Sequence, residues 1–144
     1  LLLHDPEEEH DCFSDNTHAS HFNDIKGIRN VYFGTYNGPG GMISGASLAD
    51  LIAASDDTVS AELGMKIEQT YAAAEDMVAR AEGGEAYDQM IGEGNAEGNA
   101  VVQAVIDGLV DQTASIERAV VALDLGAIAV EGSDSLDDPD AVFE

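Results

Sequence analysis

Three of the chain's four histidines and its single cysteine fall between Glu7 and Gly34, in the stretch EEEHDCFSDNTHASHFNDIKGIRNVYFG. Asp15 and His18 stand three residues apart, as do His18 and His21, a spacing that places both pairs on one face of a helix. Glu7 and His10 repeat the Glu-x-x-His spacing by which some helical bundles aim two metal ligands inward. Imidazole and carboxylate together suit iron, zinc, manganese or copper, so a divalent or trivalent metal is the cofactor this stretch could hold. The candidate ligands are His18 and Asp15, with Glu9 and His10 as outer members. Surface or capping roles for the same residues stay open, since such pairs are common on solvated helices. Cys12 reads as a nucleophile beside His10 or His18, or as a small buried residue where a helix begins, the second being the better fit. No cysteine-hydrolase signature surrounds it, and the H-E-x-x-H spacing of zinc peptidases occurs nowhere in the sequence.

The elements that must position these residues are helical. Pro6, ahead of Glu7, Glu8 and Glu9, suits the first turn of a short helix. Ser14 or Asp15 offers the N-cap of a longer one, in which His18, Phe22, Ile25, Arg29 and Tyr32 recur at helical spacing until Gly34. TYNGPGGMISG, residues 35 to 45, reads as a loop. Ser47 caps a short helix, and Asp56 or Asp57 caps a long one with the stripe Val59, Leu63, Ile67, Tyr71, Ala74, Met77 and Ala81, ending at Gly83-Gly84. GEGNAEGN reads as a flexible connection. As a calcium loop it fails, because position twelve from Glu93 is Ala104. A last helix follows, with Val102, Val105, Leu109, Gln112, Ile116, Val120 and Leu123 on one face. The expected helices are 15 to 34, 47 to 54, 57 to 82 and 99 to 125, forming an all-α, up-and-down bundle over residues 1–125 with an acidic tail at 126–144.

Composition narrows the function classes. The 29 acidic residues against five Lys and Arg give a formal net charge of −24 over 144 residues. Nucleic acid is excluded as a partner, since phosphate recognition needs clustered cations, and anionic membrane surfaces are disfavoured likewise. The acidic excess fits a solvated surface in a saline habitat or an attraction for cations. No run of residues is long and apolar enough for a membrane span.

At EEEHDCFSDNTH, GIRNVYFG, GASLADLI and AYDQMIGEGN the sequence resembles the imelysin-like family, in particular its iron-regulated protein A branch, up to about Leu125. The most specific part is Cys12-Phe13-Ser14-Asp15-Asn16-Thr17-His18. The resemblance implies one half of a double helical bundle, export to the periplasm, outer membrane or exterior of a bacterium, and a role in iron acquisition. Family members are catalogued beside peptidases, which leaves a metallopeptidase as an alternative, and a structural or assembly protein with a salt-adapted acidic surface is another. The match is to the family's C-terminal half. The Gly-x-His-x-x-Glu signature of the N-terminal half has no counterpart here.

A partner is expected as well. Leu1, Leu2, Leu3, Ile28, Val31 and Phe33 fall off the His18-to-Tyr32 face, which makes that helix apolar on two sides and suits it to be the central helix of a larger assembly. The missing N-terminal half or another copy of the chain, in a dimer or filament, would cover the second side. Burial all round within its own bundle is the competing arrangement.

Overall fold

The computed structural model describes residues 4–126, which form an all-α bundle carrying one small hairpin. A single 3-10 turn, Pro6–Glu8, is capped by Asp5, whose side chain accepts from the Glu7 amide. The helices are α1 (Thr17–Phe33), α2 (Leu48–Ala53), α3 (Asp57–Glu82), α4 (Tyr87–Ile91) and α5 (Ala96–Ala122). Ser47 and Asp56 cap α2 and α3 as their side-chain chemistry requires, accepting from the amides of Asp50 and Val59. Gly34 ends α1 in the left-handed region, φ 62°, and a Cβ there would lie 2.6 Å from the Ala46 carbonyl oxygen, so only glycine fits. The expectations for Leu1, Leu2, Leu3 and the acidic tail lie outside the described residues.

Several boundaries differ from the sequence reading, among them those of α5, expected at 99 to 125, and the short helix α4 was not expected. Residues 35 to 45 are not a loop: β1 (Thr35–Gly38) and β2 (Gly41–Ser44) pair antiparallel, Tyr36 opposite Ile43 and Asn37 opposite Met42, across Pro39-Gly40. The glycines and proline mark the turn between strands, and the residues flanking them can pair. The cap of α1 is neither Ser14 nor Asp15 but Asn16, and its side chain makes no capping bond. The GEGNAEGN connection is pinned by two asparagines: Asn95 caps α5 through the Gly98 amide and donates to the Gln89 carbonyl, while Asn99 donates to the carbonyls of Met90 and Gly92. The α5 terminus closes in a Schellman motif, with the Leu125 amide on the Val120 carbonyl and the Asp124 amide on that of Val121, Asp124 taking φ 55°.

Within this chain the central helix is α3. Helices α1 and α5 both pack along α3 and scarcely touch each other. The α3–α5 seam is close: a Cβ on Gly108 would meet Thr70 Oγ1 at 2.7 Å. Beside it Glu62 accepts from Arg118 and Ser115 and lies 3.5 Å from Lys66, which reaches Asp111 at 3.2 Å. Two apolar clusters lie along the bundle. One gathers Ile25, Ala74, Met77, Met90, Val102 and Val105; the other gathers Tyr32, Ile52, Leu63, Ile67 and Ala119. Thr70, Gln112 and Ser115 are buried at positions that fall between them.

The α3 stripe is buried or half-buried as the sequence predicts. The α5 stripe is buried in part: Val102, Val105 and Gln112 are buried and Val120 and Leu123 half-buried, but Leu109 and Ile116 are exposed, while Ser115 and Ala119, outside the stripe, are buried. Ile28 and Val31 of α1 are exposed too, at 43% and 64%, whereas Phe33 is half-buried against the second cluster. Between α1 and α5 there is consequently an open groove floored by α3. It comprises two adjoining cavities, of about 220 and 490 Å³, that share Ile28.

Candidate functional site

The residues ahead of α1 are organised by Asp11. Its amide donates to Thr17 Oγ1 at 2.9 Å, its carboxylate accepts from Ser20, and its carbonyl accepts from the amides of Ser14 and Asp15. Thr17 is fully buried as a result. The segment is thereby folded back over the first turns of α1, and the 3-10 turn packs on α4. His4 adds a contact to that side, Nδ1 lying 3.3 Å from the Ile91 carbonyl.

This fold-back brings together residues from three places in the chain. The rings of His10 and His21 are 5.9 Å apart, and His21 in turn lies 5.6 Å from the ring of Tyr87 on α4. Burial lowers the pKa of His21, His10 lowers it further, and Asp24 and Asp11 pull against that, so the neutral imidazole is favoured. Burial and the Glu9 carboxylate raise the Tyr87 phenol. Glu9 Oε2 and His18 Nδ1 are buried with no hydrogen-bond partner among the described residues. His21, Asp24 and Tyr87 also form the polar part of the smaller cavity, whose other walls are aliphatic.

The sequence-derived candidates are therefore distributed unequally. Glu9 and His10 belong to this cluster. His18 lies in the first turn of α1, half-buried. Asp15 sits before the helix at φ 53°, exposed, so Asp15 and His18 do not share a helical face as their spacing suggests. Cys12 is exposed, not buried at a helix start. Its thiol pKa is raised by a local loss of solvent and by the carboxylates of Glu7, Glu9, Asp88 and Asp15, the opposite of what an activated nucleophile needs. The pairing of His10 with His21 and the closeness of Tyr87 were missed because they arise from tertiary folding. The local signal for His21 was only its spacing from His18.

What the cluster can do is bounded by geometry. With metal–nitrogen bonds of about 2.1 Å, two imidazoles on one ion have ring centres roughly 6 Å apart or less, which the His10–His21 pair satisfies. Among the described residues no three His, Cys, Asp or Glu side chains are placed to hold a metal ion together. The pair by itself offers at most two donors. Among the described residues no helix is long and apolar enough to cross a membrane.

Comparison with known proteins agrees with the helical architecture. No curated protein matches the chain significantly. The family model described as imelysin matches residues 1–116, most of the chain and all of the cluster above. The chain belongs to the imelysin family.

Proposed function

We propose that this imelysin-family chain binds a transition metal, iron in the first instance, as an ion or chelate held through His10 and His21. The observation that carries this reading is the imidazole pair at 5.9 Å, one member of which is kept neutral and so has a free lone pair for a metal. The unpartnered buried atoms of Glu9 and His18 lend support, since a buried polar group without a partner costs free energy that a ligand could return. Two donors suit cargo arriving with part of its coordination shell in place. The partner expected from the sequence, an N-terminal half or another copy, would be one source of the missing ligands. In this reading the chain corresponds to the C-terminal half of the iron-regulated protein A branch, exported to the periplasm or outer membrane and serving iron acquisition. A peptidase is supported less well, because the cysteine is not activated and no zinc-peptidase spacing exists.

Metal analysis of the purified protein, followed by titration of iron, zinc and copper into the His10→Ala, His21→Ala, His18→Ala and Asp15→Ala variants, tests the reading. Binding should fall at least tenfold in the first two, a loss typical of removing a metal ligand or its close support. Native protein that takes up none of the three metals, or variants that all bind like the parent, would overturn it. Cleavage of an unfolded substrate, abolished by chelator, would favour the peptidase instead.

A further inference from the structure

We propose that Asp11 is the positioning residue of the His10–His21 pair: its bonds to Thr17 and Ser20 close residues 5–15 as a strap across the start of α1, so that strap closure and metal binding reinforce each other, which rests on the metal reading of that pair. His10 belongs to the strap and His21 to the body of the bundle, so the 5.9 Å between their rings exists only while the strap is down. What holds it down is narrow. Among the described residues, the hydrogen bonds from residues 5–15 to the helices all pass through Asp11, whose amide donates to Thr17 Oγ1 at 2.9 Å and whose carboxylate accepts from Ser20. Asp11 directly follows His10 and Ser20 directly precedes His21. The anchor therefore lies one residue along from the imidazole on each side and sets how the two rings face each other.

Apolar burial does not share the task. No residue from Asp5 to Asp15 is buried, and Cys12 and Phe13 stand exposed. The remaining contacts lie at the far end, where the 3-10 turn packs on α4 and His4 meets the Ile91 carbonyl. His4 and Asp15, at φ 56° and 53°, turn the chain at the two ends of the strap. A segment with few buried apolar contacts opens locally at low free energy. Its open form leaves His10 without His21, and the apparent affinity for a metal is reduced in proportion to the fraction of molecules in which the strap is closed. Linkage runs both ways, because an ion that bridges strap and body binds only the closed form and so stabilises it. The Asp11 carbonyl, accepting from the amides of Ser14 and Asp15, carries the same constraint to the end of the strap.

The test combines titration of the full chain, with iron(II) under argon and separately with zinc(II), and hydrogen exchange of residues 5–16 read by mass spectrometry. Metal at about 100 times its Kd should slow exchange in that segment at least about tenfold and leave the peptide around Ala74 unchanged. Thr17→Val with Ser20→Ala removes both partners of Asp11 and no candidate ligand. In it the segment should exchange faster and both metals bind at least about threefold more weakly, with circular dichroism like the parent's. Asp11→Ala removes the Ser20 contact from the strap side and should move both readouts the same way, which keeps the test alive if the double variant fails to fold. Asp11→Asn keeps an acceptor for Ser20 and drops only the charge, so it should bind metal like the parent. Metal bound through His10 and His21 with equal affinity in the parent, the double variant and Asp11→Ala would overturn the proposal and leave the histidine reading standing. So would a loss in Asp11→Asn equal to that in Asp11→Ala, which would make the role of Asp11 one of charge. Native protein that takes up neither metal would overturn both.

Discussion

Helix α5 presents two faces to its neighbours, and they follow opposite rules. Toward α3 it offers small or polar residues, Gly108, Gln112, Ser115 and Ala119, and the seam closes to backbone distance with a charged network along it. Toward α1 it offers Leu109, Ile116 and Val120, larger and more apolar, and there the bundle stays open. In the second half of the helix Gln112, Ser115 and Ala119 are buried while Leu109 and Ile116 are exposed and Val120 is half-buried, whereas Val102 and Val105, near its start, are apolar and buried. Residue size alone therefore fails to say which face is covered within this chain. Close approach of two helices demands small residues, whereas a stripe of large ones marks the side where a further body is needed to exclude water.

That contrast can be broken most strongly at the seam. Gly108→Val places a side chain where Thr70 already stands, and should cost about 1–3 kcal/mol or more in urea unfolding. If stability is unchanged, the seam is looser than described. Next in size is the response of the whole molecule to salt. With −24 on one small bundle, self-repulsion opposes folding, so the melting temperature should climb between about 0.1 and 1 M NaCl. The seam's ion pairs weaken over the same range but are few. A flat or falling melting temperature would mean that the acidic groups are already compensated.

A smaller effect is expected from pH at the mouth of the groove. The pKa of His21 is lowered in the folded state, so the unfolded chain binds more protons there, and stability contributed by the neutral ring is lost as pH falls from the ordinary histidine value of about 6.5 through the folded one. His21→Gln should remove that increment, leaving a shallower decline between pH 7 and 5 than in the parent. Identical slopes would count against burial of the ring. The smallest effect belongs to the open side: Val31→Asp should change the stability of the isolated chain by no more than about 0.5 kcal/mol, for the residue is 64% exposed. A large loss would show that the groove is already closed in solution.

Much of the fold is legible in the sequence because its signals are local. Asp56 and Gly83 bound α3 within a residue, and its stripe is the one buried on two sides. The hairpin escaped because Gly and Pro between 38 and 41 were read as the segment's whole character, while Tyr36 and Ile43, which pair across it, each look ordinary alone. The start of α1 was misplaced because Asp11, six residues before Thr17, holds the turn, a contact that cap rules looking one residue upstream do not see. The site follows the same division. Glu9 and His10 were marked by type, but that His10 meets His21 depends on the fold-back, and Tyr87 reaches them from 66 residues further along than His21. Leu109 and Ile116 were read as part of this chain's own core because they fall on the helical stripe, and within this chain they are exposed.

The buried polar residues between the two apolar clusters have a consequence for motion. Thr70, Gln112 and Ser115 interrupt the core midway along α3 and α5, and Gln112 Oε1 has no hydrogen-bond partner among the described residues. The interruption predicts that the bundle behaves as two cooperative units on shared helices, each end opening while the other holds. Amide exchange should divide accordingly, with the Met77–Met90–Val102 end protected to one free energy and the Tyr32–Leu63–Ala119 end to another. Because the larger cavity lies against the second end, a body seated there would slow exchange at Tyr32 and Leu63 first and leave Met90 almost untouched.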